Sequence, residues 1–164
     1  MGEKMDNIEI KQITELDEDN LNIITTWMYN WWGIEEGYTW DGMKCFVEHS
    51  LQQDRLPMTY GAFYNNKIIA IFQFTYEDLG VRPDIYPWFT NFYVDKEYRN
   101  KGIGRLLLEN IKEIAKKVVP FNELYLYTEH IGLYEKFGWE YISEIDAHIK
   151  LPRIQRLYKL ELGK

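Results

Sequence analysis

The chain has 164 residues, enough for one domain with a substantial core, and 46% of them are apolar or aromatic. Its formal charge of −7 is uneven: residues 1–41 carry ten acidic and two basic side chains, and the remainder sixteen and seventeen, so nothing resembles the clustered cationic face that nucleic acid requires. No apolar run is long enough to span a membrane, no secretory pattern opens the chain, and one cysteine, Cys45, excludes an intrachain disulfide or a cysteine metal cluster; a cytoplasmic protein is expected.

Residues 8–13 alternate as a first strand. Asp17 or Asp19 is placed to cap a helix carrying Leu21, Ile24, Trp27 and Met28, and a second helix is predicted over 41–52. On that second helix Cys45, beside Phe46 and Val47, reads as a packing residue. Trp27, Tyr29, Trp31, Trp32, Tyr38 and Trp40 crowd the surrounding segment, interleaved with Glu35, Glu36 and Asp41. Aromatic faces beside carboxylates suit an organic ammonium; with equal weight, the tryptophans fill the core or a dimer contact. Strands are predicted over 59–64 and 67–76, joined by a tight Asn65-Asn66 turn, and over 87–94. Ile103, Leu107, Ile111, Ile114 and Val118 then recur at helical spacing, a strand follows over 124–128, and residues 140–145 and 154–162 can close an antiparallel pair. Pattern alone places the fold as α/β or α+β, in one continuous domain.

The junction between the strand ending at Val94 and the helix beginning near Gly104 carries the clearest chemistry. Amides at a helix start have no partner inside the helix, and the peptide dipoles place partial positive charge there, so an anion is the natural ligand. Gly102 and Gly104 allow close approach, and Arg99 and Arg105 supply charge. Neither a P-loop nor the three-glycine dinucleotide fingerprint is present. A strand, a glycine turn and a helix are also ordinary punctuation in such folds.

At these residues the chain resembles the GNAT (Gcn5-related N-acetyltransferase) superfamily, whose signature is Arg/Gln-x-x-Gly-x-Gly/Ala between a strand and a long helix. Arg99, Gly102 and Gly104 fill its defined positions, while Asn100 stands where the family often has glycine. About thirty residues on, Tyr134 to Trp139 resembles the family's Tyr-x-x-x-Gly-Phe/Trp element. The resemblance implies a single N-acetyltransferase domain over 1–164, with a central mixed, mostly antiparallel sheet and helices on both faces. It also implies acetyl-CoA as co-substrate, without a metal. The pantetheine arm would lie along Phe92, Tyr93 and Val94, and the pyrophosphate would meet Arg99, Asn100, Lys101, Gly102, Ile103, Gly104 and Arg105. Tyr134 occupies the position of the general acid that meets the leaving sulfur.

The acceptor half is less defined. Some relatives carry a glutamate on the strand before the arginine motif, where this chain has Tyr86-Pro87-Trp88. Glu77, taken as the base, competes with Asp78, Asp84 and Glu129, each otherwise a solvated loop residue; His130 and His148 read as structural. Trp31, Trp32 and Glu35 are the expected acceptor wall. The leading expectation is transfer to a primary amine of a small cationic acceptor, polyamine or aminoglycoside-like, by direct attack in a ternary complex. A protein or peptide amino-terminus, or a catalytically silent acyl-CoA-binding module, stand as alternatives, and a homodimer is common among such proteins.

Overall fold

The computed structural model describes residues 5–147 and 154–164. Its strands are β1 (Glu9–Ile13), β2 (Met58–Tyr64), β3 (Lys67–Thr75), β4 (Trp88–Val94), β5 (Glu123–Thr128), β6 (Glu140–Asp146) and β7 (Ile154–Glu161). Its α-helices are α1 (Glu18–Met28), α2 (Trp40–Glu48) and α3 (Ile103–Val118). The strands form a seven-stranded sheet in the order β1-β2-β3-β4-β5-β7-β6. The pairs β1/β2, β5/β7 and β6/β7 are antiparallel and β4/β5 is parallel, the mixed, mostly antiparallel sheet expected. Among the described residues no helix is long and apolar enough to cross a membrane. The chain separates into two compact units, Met1–Gln73 with Asn91–Leu107, and Phe74–Thr90 with Leu108–Lys164.

In the first unit, Asp17 caps α1 by accepting the Asn20 amide at 2.7 Å, and Thr39 caps α2 by accepting the Gly42 amide at 3.0 Å. Leu21, Ile24 and Met28 of α1 and Met43 and Val47 of α2 are buried with Ile13, Phe63, Ile68 and Ile71 of the strands. The β2–β3 hairpin turns on Asn65 and Asn66, left-handed at φ 50° and 65°, as a two-residue turn of this hand requires. The second helix is shorter than the predicted 41–52: the His49 amide still bonds the Cys45 carbonyl at 3.1 Å, but the Ser50 amide turns to Val47 at 3.1 Å. His49 Nδ1 donates to the Cys45 carbonyl at 2.7 Å and Ser50 Oγ to the Phe46 carbonyl at 2.7 Å. An element that the pattern did not suggest lies between the helices: a π-helical turn, Tyr29–Gly33, closed by the Ile34 amide on the Tyr29 carbonyl at 3.0 Å. A Cβ on Gly33 would stand 2.7 Å from Met43 Cε, so the tip of the Met43 side chain packs directly over this glycine.

In the second unit, Trp88 is fully buried among Leu79, Ile85, Ile145, Ala147 and Leu157, with Tyr125 and Tyr127 packed against that cluster. The predicted closing pair is present, and β7 lies between β5 and β6, with Leu126 opposite Tyr158 and Tyr141 opposite the same residue. A 3₁₀ turn, Tyr134–Phe137, precedes β6 and ends at Gly138.

Candidate functional site

The turn after β4 leaves the first amides of α3 without a side-chain cap. Asn100 (φ 63°) and Gly102 (φ 83°) are both left-handed, which asparagine tolerates and glycine adopts freely. Leu106 N–H bonds the Gly102 carbonyl at 3.0 Å, so α3 begins on a residue with no side-chain oxygen to cap the amides of Ile103 and Gly104. Space around Gly102 is open, whereas a Cβ on Gly104 would meet the Phe92 ring at 3.7 Å and Val94 at 3.9 Å. Arg99, Lys101 and Arg105 are exposed. Arg99 Nε donates to the Val94 carbonyl at 2.9 Å, and its guanidinium lies 5.1 Å over the Tyr93 ring. Lys101 and Lys67 stand 5.6 and 5.9 Å from the Tyr98 ring. Outward amides, an open approach and a cationic rim fit a pyrophosphate.

In the same unit, the crowded aromatic segment divides by burial. Trp27 is core, Trp31 is 47% exposed, and the Tyr93 ring lies 5.2 Å from the first and 5.5 Å from the second. Trp32 is half-buried, edge-on to Tyr38 and Phe46 at 5.5 and 5.6 Å, and its Nε1–H donates to Asn91 Oδ1 at 3.1 Å. Glu35 and Glu36 are exposed beyond the π-helical turn. Partial burial, then the charge of Glu35, raises the Glu36 carboxyl above the usual carboxylate range. An ammonium beside this pair would offset the like charge of Glu35.

In the second unit, Tyr134 opens the 3₁₀ turn with only 9% of its surface exposed. Its ring is edge-on to Trp139 at 6.1 Å and tilted against Tyr158 at 6.0 Å. Burial alone pushes its phenol up to about 12. The next residue anchors the turn: Tyr158 OH donates to Glu135 Oε1 at 2.6 Å, and Arg156 Nε donates to the Tyr158 oxygen at 2.8 Å. The Arg156 guanidinium also lies 4.0 Å over Tyr141. The Tyr158 hydrogen bond, with Arg156 adding to it, holds the Glu135 carboxyl below the usual range.

Glu77 is exposed beyond β3, its carboxylate reaching over Gly80, where a Cβ would meet Oε1 at 3.3 Å. Asp84 is gripped by Arg82 through bonds of 2.9 and 2.8 Å, which lower its carboxyl and make it a poor proton acceptor. Asp78 is half-buried, Glu129 and His130 are exposed, and His148 lies outside the described residues. Cys45, expected to pack, is exposed, because Met43 and Val47 take the inner face of α2. His49 Nδ1 donates to a carbonyl, so it carries a proton and cannot receive one from the neighbouring thiol. Sequence reasoning passed over Gln73 and Asn91. A lone glutamine inside the otherwise apolar run of β3 is the signal that marks the first.

The sequence model of the Acetyltransferase (GNAT) family matches residues 18–139, from α1 through the Tyr134 element, and the chain belongs to this family. A curated relative, the "Probable spermine N(1)-acetyltransferase" of Bacillus subtilis subsp. natto, is 28% identical over 75 residues. The match covers 43% of this chain and 49% of the relative, about half of its length. Among solved structures, an acetyl-CoA-bound GNAT acetyltransferase from Elizabethkingia anophelis is 21% identical, covering 96% of this chain and 99% of that one with a TM-score of 0.61. An aminoglycoside 6'-N-acetyltransferase complexed with coenzyme A is 11% identical, covering 95% and 98%, with a TM-score of 0.72. At such identities these structures speak for the fold.

Proposed function

We propose that the protein is an acetyl-CoA-dependent N-acetyltransferase, a single domain over 1–164, acting on a primary amine of a small cationic acceptor. The observation that carries the donor half is the turn after β4, where left-handed Asn100 and Gly102 present the first amides of α3 beneath Arg99, Lys101 and Arg105. Those residues hold the pyrophosphate, and Phe92, Tyr93 and Val94 take the pantetheine arm along the strand. The bound cofactor supplies an activated acetyl thioester. The acceptor nitrogen attacks its carbonyl carbon, the carbon–sulfur bond breaks, and the amine's proton passes to Glu77 through water. Tyr134 hydrogen-bonds the departing sulfur. The acceptor class is supported by Trp31, Trp32 and Glu35, an aromatic and acidic wall, and by a relative named for spermine.

A panel of amines assayed by free-thiol release tests this reading. Polyamines or aminoglycosides are expected to outrun neutral and acidic acceptors by about an order of magnitude or more in kcat/KM. Preference for neutral or acidic acceptors refutes the cationic wall, and absence of thiol release with every amine, alongside tight acetyl-CoA binding, identifies a silent acyl-CoA-binding module.

A further inference from the structure

Four hydrogen bonds cross the first unit in a line. Thr59 Oγ donates to the Ser50 carbonyl at 2.7 Å, Gln73 Nε2 donates to Thr59 Oγ at 3.0 Å, Asn91 Nδ2 donates to Gln73 Oε1 at 2.7 Å, and Trp32 Nε1–H donates to Asn91 Oδ1 at 3.1 Å. Both ends fix the direction. A backbone carbonyl only accepts and an indole N–H only donates, so each amide between them has one orientation that satisfies every bond. Thr59 is fully buried and Gln73 is 1% exposed. Polar side chains at such depth cost free energy unless all their bonds are made, and a satisfied network then holds its members in one arrangement.

The relay also meets two departures from regular backbone. Asn91 is left-handed at φ 51° inside β4, and Trp32 sits in the π-helical turn. Both conformations are sparsely populated and persist where the surroundings determine them. Asn91 is the residue that both bonds the indole and precedes the Phe92 to Val94 stretch. We infer that Gln73 and Asn91 are positioning residues for the acceptor: by locking the Trp32 indole and its widened turn, the relay sets the wall against which the amine is held. This rests on the acceptor reading above. The relay acts on the amine and leaves the acetyl-CoA cradle alone, because its four bonds involve none of residues 99–105.

The test is a double-substitution cycle with spermidine as acceptor. Gln73→Met keeps the side chain's length and removes two of the four bonds; Thr59→Val, at the far end, keeps the shape and serves if the first variant folds poorly; Trp32→Phe keeps an aromatic ring and removes the donor. Each of the first two raises the spermidine KM about threefold to tenfold, with kcat at saturating amine within about twofold and an unchanged acetyl-CoA Kd. In the Trp32→Phe background the same changes have no further effect on KM. The Trp32 indole N–H, followed by NMR, is protected from hydrogen exchange in the parent chain and loses that protection in Gln73→Met or Thr59→Val. Additive effects on KM, or an unaltered spermidine KM where indole protection is lost, overturn the inference while leaving the acceptor reading in place. A parent chain that turns over no amine removes the acceptor reading itself, and the inference with it.

Discussion

Tyr134→Phe separates the phenol's chemistry from its packing. The ring lies against Trp139 and Tyr158, which phenylalanine reproduces, and no hydrogen bond to the hydroxyl occurs among the described residues. Because the hydroxyl makes no hydrogen bond inside the described structure, its removal leaves stability at neutral pH little changed. Burial takes the phenol from 10.0 to about 12, roughly 3 kcal/mol against the phenolate. An ordinary thiol titrates near ~8.5, so complete proton transfer to a departing thiolate runs uphill by roughly 5 kcal/mol. In the proposed mechanism Tyr134 therefore acts as a hydrogen-bond donor to developing charge, which is worth about 1.5–3 kcal/mol. Turnover is expected to fall by about one to two orders of magnitude, with acetyl-CoA affinity unchanged by calorimetry and the same pH profile as the parent chain between about pH 6 and 9. The folded pKa lies above the unfolded one, so the phenol's contribution to stability is full below pH 10 and is lost between 10.0 and about 12. Phenylalanine removes that alkaline loss. Undiminished turnover refutes the role, and an alkaline limb near neutrality that vanishes in the variant refutes the argument from burial.

Gly104→Val places methyl groups toward Phe92 and Val94, whose side chains already lie within 3.9 Å of its ideal Cβ, and crowds the amides of the cradle; acetyl-CoA should bind about tenfold more weakly by calorimetry, and parental affinity refutes the phosphate assignment. Glu36 has a raised folded pKa, so its stabilising contribution is present below 4.5 and lost as pH rises through the raised value. Glu36→Gln should therefore melt higher at pH 7 while raising the KM for a cationic amine; a lower melting temperature contradicts the burial argument. Glu135 has a depressed folded pKa, so its contribution is present above 4.5 and lost as pH falls through the lower value. Glu135→Gln should lower the melting temperature at pH 7 and flatten its decline under acid, and an unchanged acid profile removes the Tyr158 bond as a stabilising contact.

What could be read in advance was what neighbouring residues decide among themselves. Asp17 three residues before the Asn20 amide, two asparagines between alternating strands, and the apolar stripe from Ile103 to Val118 are each complete local signals. The left-handed backbone at Asn100 follows from the same kind of evidence. The π-helical turn was not readable, because no local residue pattern distinguishes the Ile34-to-Tyr29 bond that closes it from an ordinary helical one. The relay was less readable still, since its side-chain bonds join residues 14, 18 and 59 positions apart. The early end of α2 was available in principle: His49 and Ser50 are residue types whose side chains compete for helical carbonyls, and the apolar periodicity drew attention past them.

The two units solve opposite electrostatic problems, and the difference matches the tasks proposed for them. Around Gln73 each polar side-chain atom of the relay has a hydrogen-bond partner, which holds the Trp32 indole in one arrangement. Around Tyr134 the ring contacts are aromatic, and the buried Trp139 Nε1–H beside it has no partner among the described residues. A buried donor left unanswered, such as this indole N–H, costs about 1–3 kcal/mol, and a donor without a fixed partner answers best to a charge that arrives only during reaction. A wall that must hold one shape while amines exchange needs the first arrangement. A phenol that must meet a sulfur only as it becomes negative needs the second, because a partner satisfying its hydroxyl beforehand would have to be displaced at the moment of bond breaking.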